Sequence, residues 1–157
     1  MMTSSSIEIN NLLDNATIAA RALLKEVGVE KFTSPDFHSG KLQHIVLFRF
    51  KKNVTEAERR EVTKQFLELA KTSKRPDGQS VIVSIETGSQ NSGENAGMDM
   101  DQGYIVTFNS EGDRNYYVGR PLVNDPAFFD AAHEQFKSFA GTFLEKAIVF
   151  DFKVANE

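Results

Sequence analysis

The sequence contains no cysteine and no tryptophan, only 4 prolines among 157 residues, and no long apolar run. Without cysteine there is no disulfide framework, no thiolate metal site and no cysteine nucleophile. Nothing approaches the roughly 20 consecutive apolar residues of a membrane span. The start, Met1-Met2-Thr3-Ser4-Ser5-Ser6, lacks the basic and apolar regions of a signal peptide. A cytoplasmic protein with no membrane partner is therefore expected, and the glycosylation-like triplets at Asn15 and Asn53 carry little weight. An excess of positive charge is also missing. With 18 basic against 22 acidic side chains the net charge is −4, which gives no support to nucleic-acid binding.

What is present is phenylalanine, 13 copies of it, in a chain 40% hydrophobic. The length suits one domain of about 100–200 residues. In the first 40 residues, Leu12, Leu13, Ala16, Ala19, Ala20, Leu23, Leu24 and Val27 recur at helical spacing ahead of Gly28. This predicts an amphipathic helix over about residues 7–27. Thr33-Ser34-Pro35-Asp36 and Ser39-Gly40 read as a linker. Residues 1–40 are accordingly an extension and residues 41–157 the domain proper.

From Lys41 the pattern alternates. Leu42, His44, Val46, Phe48 and Phe50 share one face of a strand. Thr55-Glu56-Ala57-Glu58 is a capping-box sequence opening a helix that carries Val62, Phe66, Leu69 and Ala70. Strands are predicted over Val81 to Glu86 and Tyr104 to Phe108, with a polar loop from Gly88 to Gly103 between them and a short helix over Glu111 to Val118 after them. Asp125-Pro126 reads as the start of a helix bearing Phe129, Ala132, His133, Phe136, Phe139, Ala140 and Phe143. The last strand, Ala147 to Val154, has Ile148, Phe150, Phe152 and Val154 on one face. The order β-α-β-β-α-β is the split, ferredoxin-like α+β unit. It leaves one aromatic sheet face without a cover, so a homodimer is expected.

Three stretches resemble the stress-responsive A/B barrel family, a group of dimeric alpha/beta barrels. They are Gln43-His44-Ile45-Val46-Leu47-Phe48-Arg49-Phe50-Lys51, Asp101-Gln102-Gly103-Tyr104 through Thr107-Phe108, and Ala132-His133 through Ile148-Val149-Phe150-Asp151-Phe152. The resemblance spans about residues 41–154 and implies a barrel made from the sheets of two chains face to face. In cyclase-type members a strand His, a Tyr and a helix His face an apolar pocket. His44 and His133 match the two histidine positions; Tyr117, or Tyr116, matches the tyrosine, with Arg120-Pro121 in place of a His-Pro pair. Tyr117 and His133 are separated by an insertion containing Asn124-Asp125-Pro126.

The resemblance thus implies catalytic roles for His44, His133 and Tyr117, with Val46, Phe48 and Phe129 lining a cavity between two chains that takes a small apolar molecule. One imidazole would abstract a proton beside a carbonyl while a second group hydrogen-bonds the developing oxyanion. That describes a cyclase or lyase with no cofactor and no metal. The same residues fit a second reading, in which each histidine is a satisfied core residue and the dimer is a binding or scaffolding module whose cavity is filled by phenylalanine. Asp99-Met100-Asp101 with Glu94 does not complete a calcium loop, the loop glycines make no phosphate-binding motif, and Lys51-Lys52 and Arg59-Arg60 read as a solvated face.

Overall fold

The computed structural model describes residues 12–155. The elements are α1 (Asn15–Val27), α2 (Val29–Phe32), β1 (Ser39–Phe50), α3 (Glu56–Thr72), β2 (Ser84–Ser89), β3 (Gln102–Ser110), α4 (Glu111–Val118), a 3₁₀ turn (Pro126–Phe128), α5 (Ala131–Ala140) and β4 (Leu144–Lys153). One four-stranded sheet has the order β2-β3-β1-β4, and each neighbouring pair is antiparallel. This is the ferredoxin-like α+β arrangement expected from the order of the elements. Among the described residues no helix is long and apolar enough to cross a membrane.

Strand alternation decides what the two sheet faces contain. On β1, Leu42, His44, Val46, Phe48 and Phe50 are buried and the residues between them are half-buried. The buried set lies beneath α3, which contributes Val62, Phe66 and Leu69, and α5, which contributes His133, Phe136 and Ala140. The opposite face carries Ile45, Ile105 and Phe150 in register across three strands, and Phe150 is 64% exposed.

The capping box forms as its sequence dictates. Thr55 Oγ1 accepts from the Glu58 amide at 3.1 Å, and Glu58 Oε1 accepts from the Thr55 amide at 2.9 Å. The second long helix departs from its expected start. Asp125 caps only the 3₁₀ turn, by accepting from the Ala127 amide, and Asp130 is the N-cap of α5, accepting from the Ala132 amide at 3.0 Å. Two Asp caps lie five residues apart, and the second is the one that leads into an uninterrupted apolar stripe.

The N-terminal helix begins at Asn15, with Asp14 accepting from the Thr17 amide; residues 7–11 of its expected span lie outside the described residues. The stretch read as a linker is packed. Phe32 and Phe37 form a second cluster with Val123 and Phe129, Asn115 donates to the Phe32 carbonyl at 2.9 Å, and the Gly112 amide donates to that of Phe37 at 3.1 Å. Turn-forming residues alternate here with two anchoring aromatics, and the aromatics decide the outcome.

Candidate functional site in the helix-side cavity

A cavity of about 760 Å³ lies between the sheet and the helices. Its floor comes from β1 and β4, where register sets His44 opposite Asp151, Val46 opposite Val149 and Phe48 opposite Ala147. Arg114 and Tyr117 of α4 and His133 and Phe136 of α5 line it further, and α1 lies across it with Ala16, Ala20 and Leu23. A larger, more open groove runs between α3 and the loop before β3, edged by Arg59, Lys64, Glu68 and Asp101. Its charges are mixed and mostly solvated, so the less open, more apolar cavity is the stronger candidate.

The expected location changes in one respect. The hollow lined by His44, Val46 and Phe48 belongs to a single chain rather than to the space between two sheets. The same alternation that groups these residues turns them beneath the chain's own helices and leaves Ile45, Leu47 and Phe150 for the other face.

His44 is 5% exposed, and its Nδ1 is 2.7 Å from Asp151 Oδ1. Arg114 Nη1 donates to the other carboxylate oxygen at 2.9 Å. Burial alone would push the Asp151 carboxyl up, but the hydrogen bonds and charges of His44 and Arg114 outweigh it and hold the group below the usual carboxylate range. An ionised carboxylate only accepts, so His44 donates from Nδ1, and Nε2 is the ring nitrogen left for proton exchange.

Tyr117 is 1% exposed, and its hydroxyl has no hydrogen-bond partner. Burial, with the Asp130 and Asp151 charges, raises its pKa well above the ordinary tyrosine value, so the phenol stays protonated. His44 meets the Tyr117 ring edge-on at 5.7 Å between centroids. His133 stacks on the same ring at 3.7 Å and 14°, and its Nδ1 lies 2.6 Å from the Tyr117 carbonyl. Burial, helped by the Lys137 charge, lowers the His133 pKa to about 3. This imidazole is neutral, donating from Nδ1 and offering only an acceptor at Nε2.

The structure therefore brings His44, Tyr117 and His133 together, despite the insertion in the chain before His133, and puts Val46 and Phe48 beside them. Tyr116 is the wrong neighbour. Its hydroxyl lies 3.4 Å from the Lys74 carbonyl and its ring is beneath Arg75. Phe129 is also displaced from its expected role. It belongs to the second aromatic cluster, with the Arg120 guanidinium 5.3 Å from its ring centroid, because it precedes α5 instead of lying on its inner face.

Asp151 and Arg114 escaped the sequence reading. The signal for Asp151 was an acid set between Phe150 and Phe152, on the opposite face of the strand. Arg114 gave none. Among the described residues no three His, Asp or Glu side chains gather as a metal site.

The model of the family described as Stress responsive A/B Barrel Domain matches residues 42–154. Among solved structures, the Arabidopsis thaliana protein At3g17210 is similar at 22% identity and a TM-score of 0.60, covering 74% of this chain and 97% of that one. A hydroxynitrile lyase from Passiflora edulis is similar at 15% identity and a TM-score of 0.60, covering 76% and 97%. A dimeric ferredoxin-like protein of unknown function from Jannaschia sp. CCS1 is similar at 16% identity and a TM-score of 0.55, covering 73% and 100%. No curated protein matches the sequence.

Proposed function

The chain belongs to the stress responsive A/B barrel domain family, and on that premise we propose that it is a homodimer in which each cavity binds a small, largely apolar carbonyl compound and turns it over by acid–base chemistry. The reaction class is that of a lyase or cyclase, with His44 as general base. The observation that carries this reading is the 2.7 Å contact between His44 Nδ1 and Asp151 in a cavity of about 760 Å³. A carboxylate on Nδ1 fixes the tautomer, turns the ring and stabilises the imidazolium formed when Nε2 takes a proton.

Tyr117 keeps its proton and is the available donor to a developing oxyanion. His133, with a pKa of about 3, is too weak a base to share the proton transfer; it acts as a positioning residue that holds the Tyr117 ring. Val46, Phe48, Phe136 and Val149 supply the apolar lining. A hydroxynitrile lyase among the structural neighbours agrees with a base that takes the hydroxyl proton of a cyanohydrin while the C–CN bond breaks, cyanide leaves and the carbonyl forms. Phe48, Phe66 and Phe136 line the hollow without filling it, which leaves a purely scaffolding role with less support. Dimerisation is supported by the exposed Phe150 and Phe152 and by a structural neighbour described as dimeric.

The test is cleavage of an aromatic cyanohydrin to aldehyde and cyanide. We expect the protein to accelerate it and His44→Gln to lower the rate by about 10²–10⁴-fold, the usual worth of a positioned base, with an unchanged circular dichroism spectrum. Asp151→Asn should lower it too, since the tautomer is no longer fixed. Full activity in His44→Gln, or no saturable binding of aromatic carbonyl compounds, overturns the reading.

A further inference from the structure

An amphipathic helix ordinarily gains its place by burying its apolar stripe, and α1 does so only in part, with Leu23, Leu24 and Val27 half-buried against the second aromatic cluster. None of its residues is buried. Ala16, Ala19, Ala20 and Leu23, spaced to share one helical face, line the helix-side cavity together with Thr17, while Ile18 on the other side is 48% exposed. The N-terminal half of the stripe, Ala16, Ala19 and Ala20, faces unfilled volume. A molecule in the cavity would supply the apolar surface that this half lacks.

The attachment of α1 agrees with this. At Gly28 the backbone adopts φ 86° and ψ 156°, a region that only glycine occupies at little cost, and a Cβ there would meet nothing within 4 Å. Immediately beyond, the chain is fixed: Phe32 is 1% exposed and its carbonyl accepts from Asn115. A helix held only through its C-terminal half is thus joined through one glycine to an anchored segment. The family match begins at residue 42, so α1 lies outside the matched domain while lining its cavity.

We propose that α1 is the specificity-determining lid of the cavity. Its Ala16 and Ala20 methyls set the room available to the ligand, and ligand burial docks the helix. The proposal rests on the reading that the cavity takes an apolar molecule, and it adds which element selects that molecule.

The experiment uses the full chain with 1-octanol as the probe, followed by amide chemical shifts of Val46 and Val149. Wild type should show saturable shifts at both. A bulky ring on the inner face, in Ala20→Trp or in Ala16→Trp, should weaken the octanol affinity about tenfold or more by occupying the hollow. Ala22→Trp, on the outer face, should stay within about twofold. Since no α1 residue is buried, these variants leave the core intact, and circular dichroism checks it. The α1 amides should also gain hydrogen-exchange protection when octanol is added. Equal affinity in wild type, Ala16→Trp and Ala20→Trp, or α1 protection unmoved by octanol, overturns the lid while leaving the cavity reading in place. Absence of any saturable shift in wild type overturns both.

Discussion

The imidazole of His133 lies flat against the phenol of Tyr117, 3.7 Å between centroids, while its Nδ1 donates to the main-chain carbonyl of that same tyrosine at 2.6 Å. One side chain of α5 thereby fixes both the ring and the backbone at the end of α4. The arrangement requires a neutral imidazole, because a proton on Nε2 would place a charge in a buried aromatic site.

That requirement has a pH consequence. His133 falls from an ordinary 6.5 to about 3 in the folded protein, so below 6.5 the unfolded chain binds a proton that the folded chain refuses. Its contribution to stability is complete above about pH 6.5 and is lost as the pH falls from there toward 3. Between pH 7 and pH 5 the loss should be about 2 kcal/mol. His133→Asn keeps an N–H for the Tyr117 carbonyl but does not titrate. Urea unfolding at the two pH values should show a smaller loss in this variant than in wild type, and equal losses would refute the assignment.

Tyr117→Phe separates stability from chemistry. The hydroxyl is buried and unpartnered, and an unsatisfied buried group costs about 1–3 kcal/mol. Its removal should leave the melting temperature unchanged or higher. Turnover of the cyanohydrin should nevertheless fall by about 10²-fold, the scale of a lost oxyanion donor. A variant that is less stable and equally active would remove Tyr117 from the site.

The open sheet face has its own test. Phe150 is 64% exposed in the single chain, so Phe150→Asp should fold normally. An unpaired charge in an apolar interface costs about 3–5 kcal/mol, enough to weaken a dimer roughly a hundredfold or more. Sedimentation should find wild type dimeric at micromolar concentration and Phe150→Asp monomeric. Wild type sedimenting as a monomer would contradict the dimer.

At Gly112 a Cβ would fall on the Ser34 carbonyl oxygen and crowd Phe37. Because the obstacle is main chain, relief requires moving the segment between α2 and β1. Gly112→Ala should therefore cost about 1–3 kcal/mol, the range for overpacking, measured by thermal unfolding. A neutral effect would show that this segment yields easily.

The sequence by itself determined the features that depend on near neighbours. Alternation along β1 grouped His44 with Val46 and Phe48, and the Thr55–Glu58 pair started one helix as its chemistry requires. The element order specified the ferredoxin-like sheet, because few arrangements bury so few strands and helices. The family resemblance pointed to Tyr117 and His133, but local spacing could not show that they meet. Only the tertiary structure decided that His44 faces Asp151 across 107 residues of chain, that the chain's own helices roof that face, that Phe129 turns to a separate cluster, and that α1 crosses the cavity. Periodicity says which side chains share a face. Which face is covered, and by what, follows from strand register and helix docking, whose free energy comes from contacts between distant segments and leaves no mark in local spacing.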